Sequence, residues 1–263
     1  LMQRSGQIGK IVITPPELGE RAKTVPIEGP IFQANPDGWH VIAGGLGGLG
    51  LEWAEILQQR GAQHLALLSR SRTPSEAAQK RLENLRCAGA EVRVVCCDIT
   101  DKATVEASLK ELRAHAPLVG VYHAAMVLED RLLTDIDVNL LAQVLPVKAC
   151  GTENLDHATR CDDLQAFVVF SSLATLIGNV GQTAYVAANA YQEAVIKKRV
   201  ADGFPGLAVG FGAITDAGYV ARDAGLSKML MQLSGKTPFP ASVALNGLCQ
   251  LLTLPNSDPC VTI

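Results

Sequence analysis

Val41-Ile42-Ala43-Gly44-Gly45-Leu46-Gly47-Gly48-Leu49-Gly50 is a short apolar run that breaks into glycines and leads into a helical pattern. It holds G-x-G-x-x-G at Gly45, Gly47 and Gly50, in the strand-turn-helix setting that gives this motif its meaning. Glycine permits positive φ and lets backbone N–H groups at a helix start approach an anion, whose charge the helix dipole favours. The spacing suits a pyrophosphate, held by Gly45, Leu46, Gly47, Gly48, Leu49 and Gly50. A purely structural glycine turn is the competing reading.

Outward from this turn, apolar strand, turn and amphipathic helix alternate. Strands are expected near 39–43, 64–69, 91–97, 117–123, 164–171 and 206–212, with a last one near Val261. Helices near 47–60, 74–88, 101–114, 134–158 and 181–203 supply the crossovers that parallel neighbours need. The pattern predicts an α/β fold: a Rossmann-like, doubly wound parallel sheet of about seven strands with helices on both faces. After Gly212 the chain, including the apolar, Met-containing stretch Leu226 to Leu233, reads as a C-terminal lid segment followed by a helix. Residues 1–38 differ, being punctuated by Gly and Pro around one strand-like Ile11-Val12-Ile13, and are taken as a linker or tail ahead of a domain spanning 39–263.

The second strand ends in Ser69-Arg70-Ser71-Arg72, where an NAD-preferring site would place an acid for the ribose hydroxyls. Arginine there favours a 2′-phosphate, so the expected cofactor is NADPH, with Ser69 and Arg70 as contacts; Arg72 is a second phosphate contact or a solvated turn residue. Asp98, followed by Ile99, is placed to accept from the adenine amino group, or to cap the next helix, which Asp101 can do better. His123-Ala124-Ala125 closes the fourth strand with small residues that let backbone lie close to the cofactor ribose. A histidine in such a place is more often a core residue than a catalyst.

Lys148, Ser172, Tyr185 and Asn189 compose a carbonyl-reducing centre spread over one βα segment. One helical turn puts Tyr185 and Asn189 on the same face. A free phenol titrates near ~10, so a tyrosine donates its proton to a developing alkoxide at neutral pH only with help, which a nearby Lys148 ammonium provides electrostatically.

At 263 residues and 48% hydrophobic, the chain can bury one sizeable α/β core. Net charge is −3, from 23 basic and 26 acidic residues, and no basic run forms a phosphate-tracking stripe, which argues against nucleic acid. Apolar runs are too short to span a bilayer and the start lacks a signal peptide's apolar core, so a cytoplasmic protein without membrane contact is expected. Seven cysteines form no C-x-x-C pair and are read as free thiols filling the core; no cluster at ligand spacing suggests a metal.

These motifs resemble the short-chain dehydrogenase/reductases, and within them the ketoreductase domains of modular polyketide synthases and animal-type fatty acid synthases, from about Trp39 to the end. The general family places its lysine four residues after the tyrosine; here Asn189 holds that place and Lys148 lies upstream, an exchange characteristic of synthase ketoreductases. Ala43 and Phe211 depart from the usual threonine and tryptophan without removing a catalytic group. The resemblance implies that Tyr185 is the proton donor, that Ser172 hydrogen-bonds the ketone oxygen, and that Lys148 and Asn189 position the tyrosine and the cofactor ribose. Leu128-Glu129-Asp130 matches the Leu-Asp-Asp fingerprint of B-type domains at its second acid, and Ile177 stands where A-type domains carry tryptophan, so Asp130 is assigned stereocontrol and the product a D-configured hydroxyl. The competing reading is that Glu129 and Asp130 are loop surface charges. By the same resemblance the substrate is a β-ketoacyl group on an acyl carrier protein, residues 1–13 look like the end of an enoylreductase domain, and an upstream structural ketoreductase subdomain completes the enzyme. A free-standing small-ketone reductase and a catalytically silent nucleotide-binding domain are the alternatives.

Overall fold

The computed structural model describes residues 30–71, 73–215, 239–254 and 258–263. The compact unit containing the sheet begins at Ile31, ahead of the boundary placed at Trp39. Phe32 is buried and stacks on Trp53, and Gln165 ties down the same segment, its Nε2 donating to Gln33 O and its Oε1 accepting from Asn35 N. Two apolar residues among prolines carry no period, so sequence alone does not attach them. Residues 1–29, the lid reading around Tyr219 to Leu233, and Arg72 lie outside the described residues.

Seven strands, β1 Trp39–Ala43, β2 His64–Ser69, β3 Glu91–Cys96, β4 Leu118–His123, β5 Ala166–Ser172, β6 Leu207–Phe211 and β7 Cys260–Thr262, form one sheet in the order β3-β2-β1-β4-β5-β6-β7. All six pairings are parallel. The chain builds outward from β1 to β3, then returns to lay β4 on the other side of β1. In sheets of this kind the ligand crevice lies where the order reverses, beyond the strands' carboxyl ends, here between β1 and β4.

Side-chain alternation sends Ile42 to one face and Val41 and Ala43 to the other. On the first face, Trp53 and Leu57 of α1 (Gly48–Gln59), Leu82 and Leu85 of α2 (Glu76–Cys87), and Leu245 and Leu248 of α7 (Ala241–Leu251) cover the sheet. The second is covered by Val105 and Leu109 of α3 (Lys102–Arg113), Leu155 of α4 (Val138–Ala158) and Ile196 of α6 (Thr183–Ala201). Asp101 caps α3, accepting from Ala103 N and Thr104 N, and Asp137 caps α4. The helix expected over 134–158 is a 3-10 turn, Leu133–Asp135, followed by α4.

The cysteines correct the expectation of core thiols. All seven are free, but Cys87, Cys96, Cys150 and Cys161 are exposed, and only Cys97 and Cys249 are buried. Cys96 ends the edge strand β3, whose partly open face an apolar run of letters does not reveal.

Far from the sheet's carboxyl ends, α4 and α6 are joined by an ion pair. The fully buried Arg199 donates from Nη1 to Asp156 Oδ1 at 2.5 Å and from Nε to Pro205 O at 2.7 Å, with its guanidinium over the Phe167 ring at 4.2 Å. Arg160 holds the other carboxylate oxygen of Asp156 at 2.8 Å.

His40 lies buried in β1, its ring nitrogens against Tyr122 Oη at 3.3 Å and Asn35 O at 2.9 Å. Burial lowers its pKa from 6.5 to about 4, against the opposing bond to Asn35 O. The unfolded chain therefore binds the extra proton first as pH falls. Stability is full above pH 6.5 and declines toward pH 4, with His40 contributing a loss of about 3 kcal/mol. Urea midpoints measured across that window check this, and a flat profile would refute a buried neutral His40.

Candidate active site

The glycine turn sits at the carboxyl end of β1. Gly44 has φ +77°, and a Cβ there would lie 2.7 Å from the Ala125 backbone, so the exit of β4 passes directly against the turn. A Cβ on Gly50 would lie 2.4 Å from Gly44 O, so the first turn of α1 needs glycine for packing. Gly47 is different: its φ is −78° and a Cβ would meet only Gly44 O, at 3.2 Å. It caps α1 without a side chain to bond the first-turn N–H groups, and no acid stands in that turn. The fold itself asks little for glycine here; an anion approaching those N–H groups asks for it. The residues present fit a dinucleotide pyrophosphate.

At the end of β2, Arg70 is exposed, and among the described residues its guanidinium has no carboxylate partner. Ser69 is half-buried beside it and accepts from Ser71 N. Asp98 is exposed, and one of its oxygens accepts from both Thr100 N and Thr100 Oγ1. The Ile99 side chain is buried and faces Gly151, and its carbonyl accepts from Asn154 Nδ2 at 2.9 Å. Ala124 and Ala125 follow β4, where Ala124 N donates to Ala43 O. His123 is fully buried, its Nε2 against Val147 O at 3.0 Å and its Nδ1 accepting from Ala125 N at 3.3 Å. Burial, then the nearby Lys148, lower its pKa to about 3, so it is a neutral histidine shaping the β4 turn.

The four residues expected to act together come from three elements: α4 carries Lys148, β5 ends in Ser172, and α6 carries Tyr185 and Asn189. Ser172 is held by its pairing to Phe211 of β6, and its Oγ accepts from Ala174 N at 3.1 Å, starting the short helix α5 (Ala174–Ile177). Burial raises the Tyr185 pKa, and hydrogen bonds from the Asn189 and Ser172 side chains oppose that rise. The phenol thus stays protonated at neutral pH and faces both groups. Asn189 Nδ2 donates to Tyr185 O at 2.9 Å, while its buried Oδ1 has no partner among the described residues.

Lys148 is the departure from expectation. Its Nζ donates to Phe170 O at 2.7 Å and to Gln192 Oε1 at 3.1 Å, and it stands 5.9 Å from the Tyr185 ring centre. Burial lowers its pKa to about 7, with Glu193 pulling the other way. The sequence reading named neither Gln192 nor Glu193. An amide and an acid in mid-helix carry no signal of facing inward. Asp130 lies on the loop after β4, its Oδ2 accepting from Gln182 Nε2 at 3.2 Å and its buried Oδ1 without a partner among the described residues.

Among the described residues no group of side chains could hold a metal ion, and no helix is long and apolar enough to cross a membrane.

A glycine turn at the sheet's switch point, with a half-buried tyrosine and serine beyond it, is the arrangement of a nucleotide-dependent oxidoreductase of the short-chain reductase type. The family model described as KR domain matches residues 38–216. The chain belongs to this family, the ketoreductase domains of polyketide synthases. It is 35% identical over 256 residues to squalestatin tetraketide synthase of Phoma sp. (strain C2932), covering 97% of this chain and 10% of the synthase. It is also 37% identical over 218 residues to polyketide synthase GfsA of Streptomyces halstedii, covering 83% of this chain and 3% of that protein. Among solved structures, A-type ketoreductases from a modular polyketide synthase match with TM-score 0.82 and 33% identity over 92% of this chain and 50% of theirs. A ketoreductase domain from the bacillaene assembly line matches with TM-score 0.79 and 29% identity over 86% of this chain and 55% of that one. The chain thus spans about a tenth of the fungal synthase and about half of each ketoreductase structure.

Proposed function

We propose that the chain reduces a β-ketoacyl thioester, carried on an acyl carrier protein, to the β-hydroxyacyl thioester, with NADPH as cofactor. The observation that carries this reading is the gathering of Lys148, Ser172, Tyr185 and Asn189 from α4, β5 and α6, with Lys148 Nζ 5.9 Å from the Tyr185 ring centre and Asn189 Nδ2 donating to Tyr185 O. Gly45, Leu46, Gly47, Gly48, Leu49 and Gly50 would hold the pyrophosphate, Ser69 and Arg70 the 2′-phosphate, and Asp98 the adenine, with Ile99, His123, Ala124 and Ala125 bordering the ribose. When bound, the cofactor supplies hydride to the ketone carbon. Ser172 orients the ketone oxygen by hydrogen bond, and Tyr185, kept protonated by burial, gives that oxygen its proton. Lys148 and Asn189 hold the phenol in place, and the Lys148 charge favours the phenolate left behind.

Asp130 fits the B-type fingerprint and is tied to Gln182, just before Tyr185, which supports a D-configured product. The wider reading places the chain in a cytoplasmic synthase beside an enoylreductase and an upstream structural ketoreductase subdomain. NADPH consumption with a β-ketoacyl thioester surrogate, followed by chiral separation of the alcohols, tests reaction and stereochemistry together. Failure to turn over despite tight NADPH binding would favour a silent domain or one needing its structural partner. For cofactor choice, Arg70→Ala is expected to weaken NADPH by about 10–100-fold, the value of charged hydrogen bonds to a phosphate, with little effect on NADH. Fluorescence titration with both cofactors reads this, and equal losses would remove the 2′-phosphate role.

A further inference from the structure

Lys148, Thr152 and Gln192 are 2%, 0% and 0% exposed, and together they form a polar thread between α4 and α6. Lys148 Nζ donates to Gln192 Oε1 at 3.1 Å, and Gln192 Nε2 donates to Thr152 Oγ1 at 3.0 Å. Thr152 lies one turn beyond Lys148 on the same helix, so the lysine and the support of its acceptor share one rigid element. Both ends of the Gln192 amide are engaged. With the amide's N–H end committed to Thr152, its carbonyl end must face the lysine.

We propose that Gln192 is a positioning residue for the reaction: it aims the Lys148 amino group and sustains its charge. This rests on the reading that the Lys148 charge serves Tyr185. An ammonium has three donors. Phe170 O and Gln192 Oε1 take two of them, which fixes the direction of the third. An apolar side chain at position 192 would fill the space and leave the lysine one acceptor short inside the protein. The other titratable groups facing Lys148 are His123 at the end of β4, which is neutral, Tyr185, and Glu193 of α6. Glu193 is occupied elsewhere, accepting from Ser171 Oγ and Thr175 Oγ1, so the direct hydrogen bond to the lysine from α6 is Gln192's.

The test titrates Lys148 by nitrogen and carbon NMR of labelled lysine in the full chain, alongside the pH profile of ketone reduction. Gln192→Met is expected to move the Lys148 midpoint down by about one unit, costing about tenfold in turnover at pH 8 and little at pH 6. Gln192→Glu, of nearly the same shape, is expected to move both midpoint and falling limb the opposite way. Thr152→Val follows Gln192→Met with a smaller shift. Unmoved Lys148 midpoints, or a loss of activity flat across pH that tracks a lowered melting temperature, would overturn the brace. A midpoint that moves while the turnover profile stays put would leave the brace standing and remove the lysine from the proposed mechanism.

Discussion

Tyr185→Phe is expected to lower the proposed ketone reduction by about 10²–10⁴-fold, the range a positioned general acid contributes, with cofactor binding and melting temperature near those of the unmutated chain. The size follows from the site. Among the described residues, the other candidates for the proton are poorly placed: His123 is neutral and buried, and Lys148 is turned to Phe170 O and Gln192 Oε1. The small structural cost follows as well. The side chains of Asn189 and Ser172, whose hydrogen bonding opposes the rise in the Tyr185 pKa, have other anchors. Ser172 remains anchored by Ala174 N and the β6 pairing, and Asn189 keeps its bond to Tyr185 O. Single-turnover absorbance of NADPH, with cofactor affinity measured separately, checks the split. Retained turnover would remove Tyr185 as proton donor.

The largest expected loss of stability lies at the far end of the same helices. Asp156→Ala strands Arg199, whose side chain is fully buried and already has Nη2 without a partner. Breaking one side of a buried pair costs about 3–5 kcal/mol, which for a domain of this size lowers the melting temperature by about 10 °C. Burial already depresses the Arg199 pKa, and Asp156 is the group that opposes this first. Asp156→Leu combined with Arg199→Met, which removes both charges, is expected to recover most of the loss. Calorimetry of both variants decides the matter. A single variant as stable as the parent would mean that water reaches Arg199.

How far the sequence carried differs from part to part. Strands β1, β2 and β4 are mostly apolar and almost wholly buried, interrupted by His40 and bounded by His64, Ser69 and His123, because both of their faces are covered by helices. Such runs are legible without neighbours. Edge strand β3 ends in Cys96-Cys97, where one thiol is exposed and the next buried, a distinction set by the sheet's limit and not by the letters. In the site, Lys148, Ser172, Tyr185 and Asn189 were legible because their chemistry and spacing coincide. The direction of the Lys148 amino group was not, since it depends on Phe170 O and on Gln192, a polar helical residue that turns inward only because α4 packs against α6. Helix α5 is too short to carry a period, and exists because Ser172 Oγ accepts from Ala174 N.

The all-parallel sheet also dictates when the enzyme can first work. No two adjacent strands close as a hairpin, so every pairing must wait for a crossover, and folding of this kind is slow. Ser172 faces Phe211 across β5 and β6, and Leu173 N donates to Phe211 O. The serine is therefore held by a strand synthesised after it. The four side chains proposed for catalysis all precede β6 in the sequence, so a chain synthesised only as far as Asn189 would carry them without the strand that holds Ser172 in place.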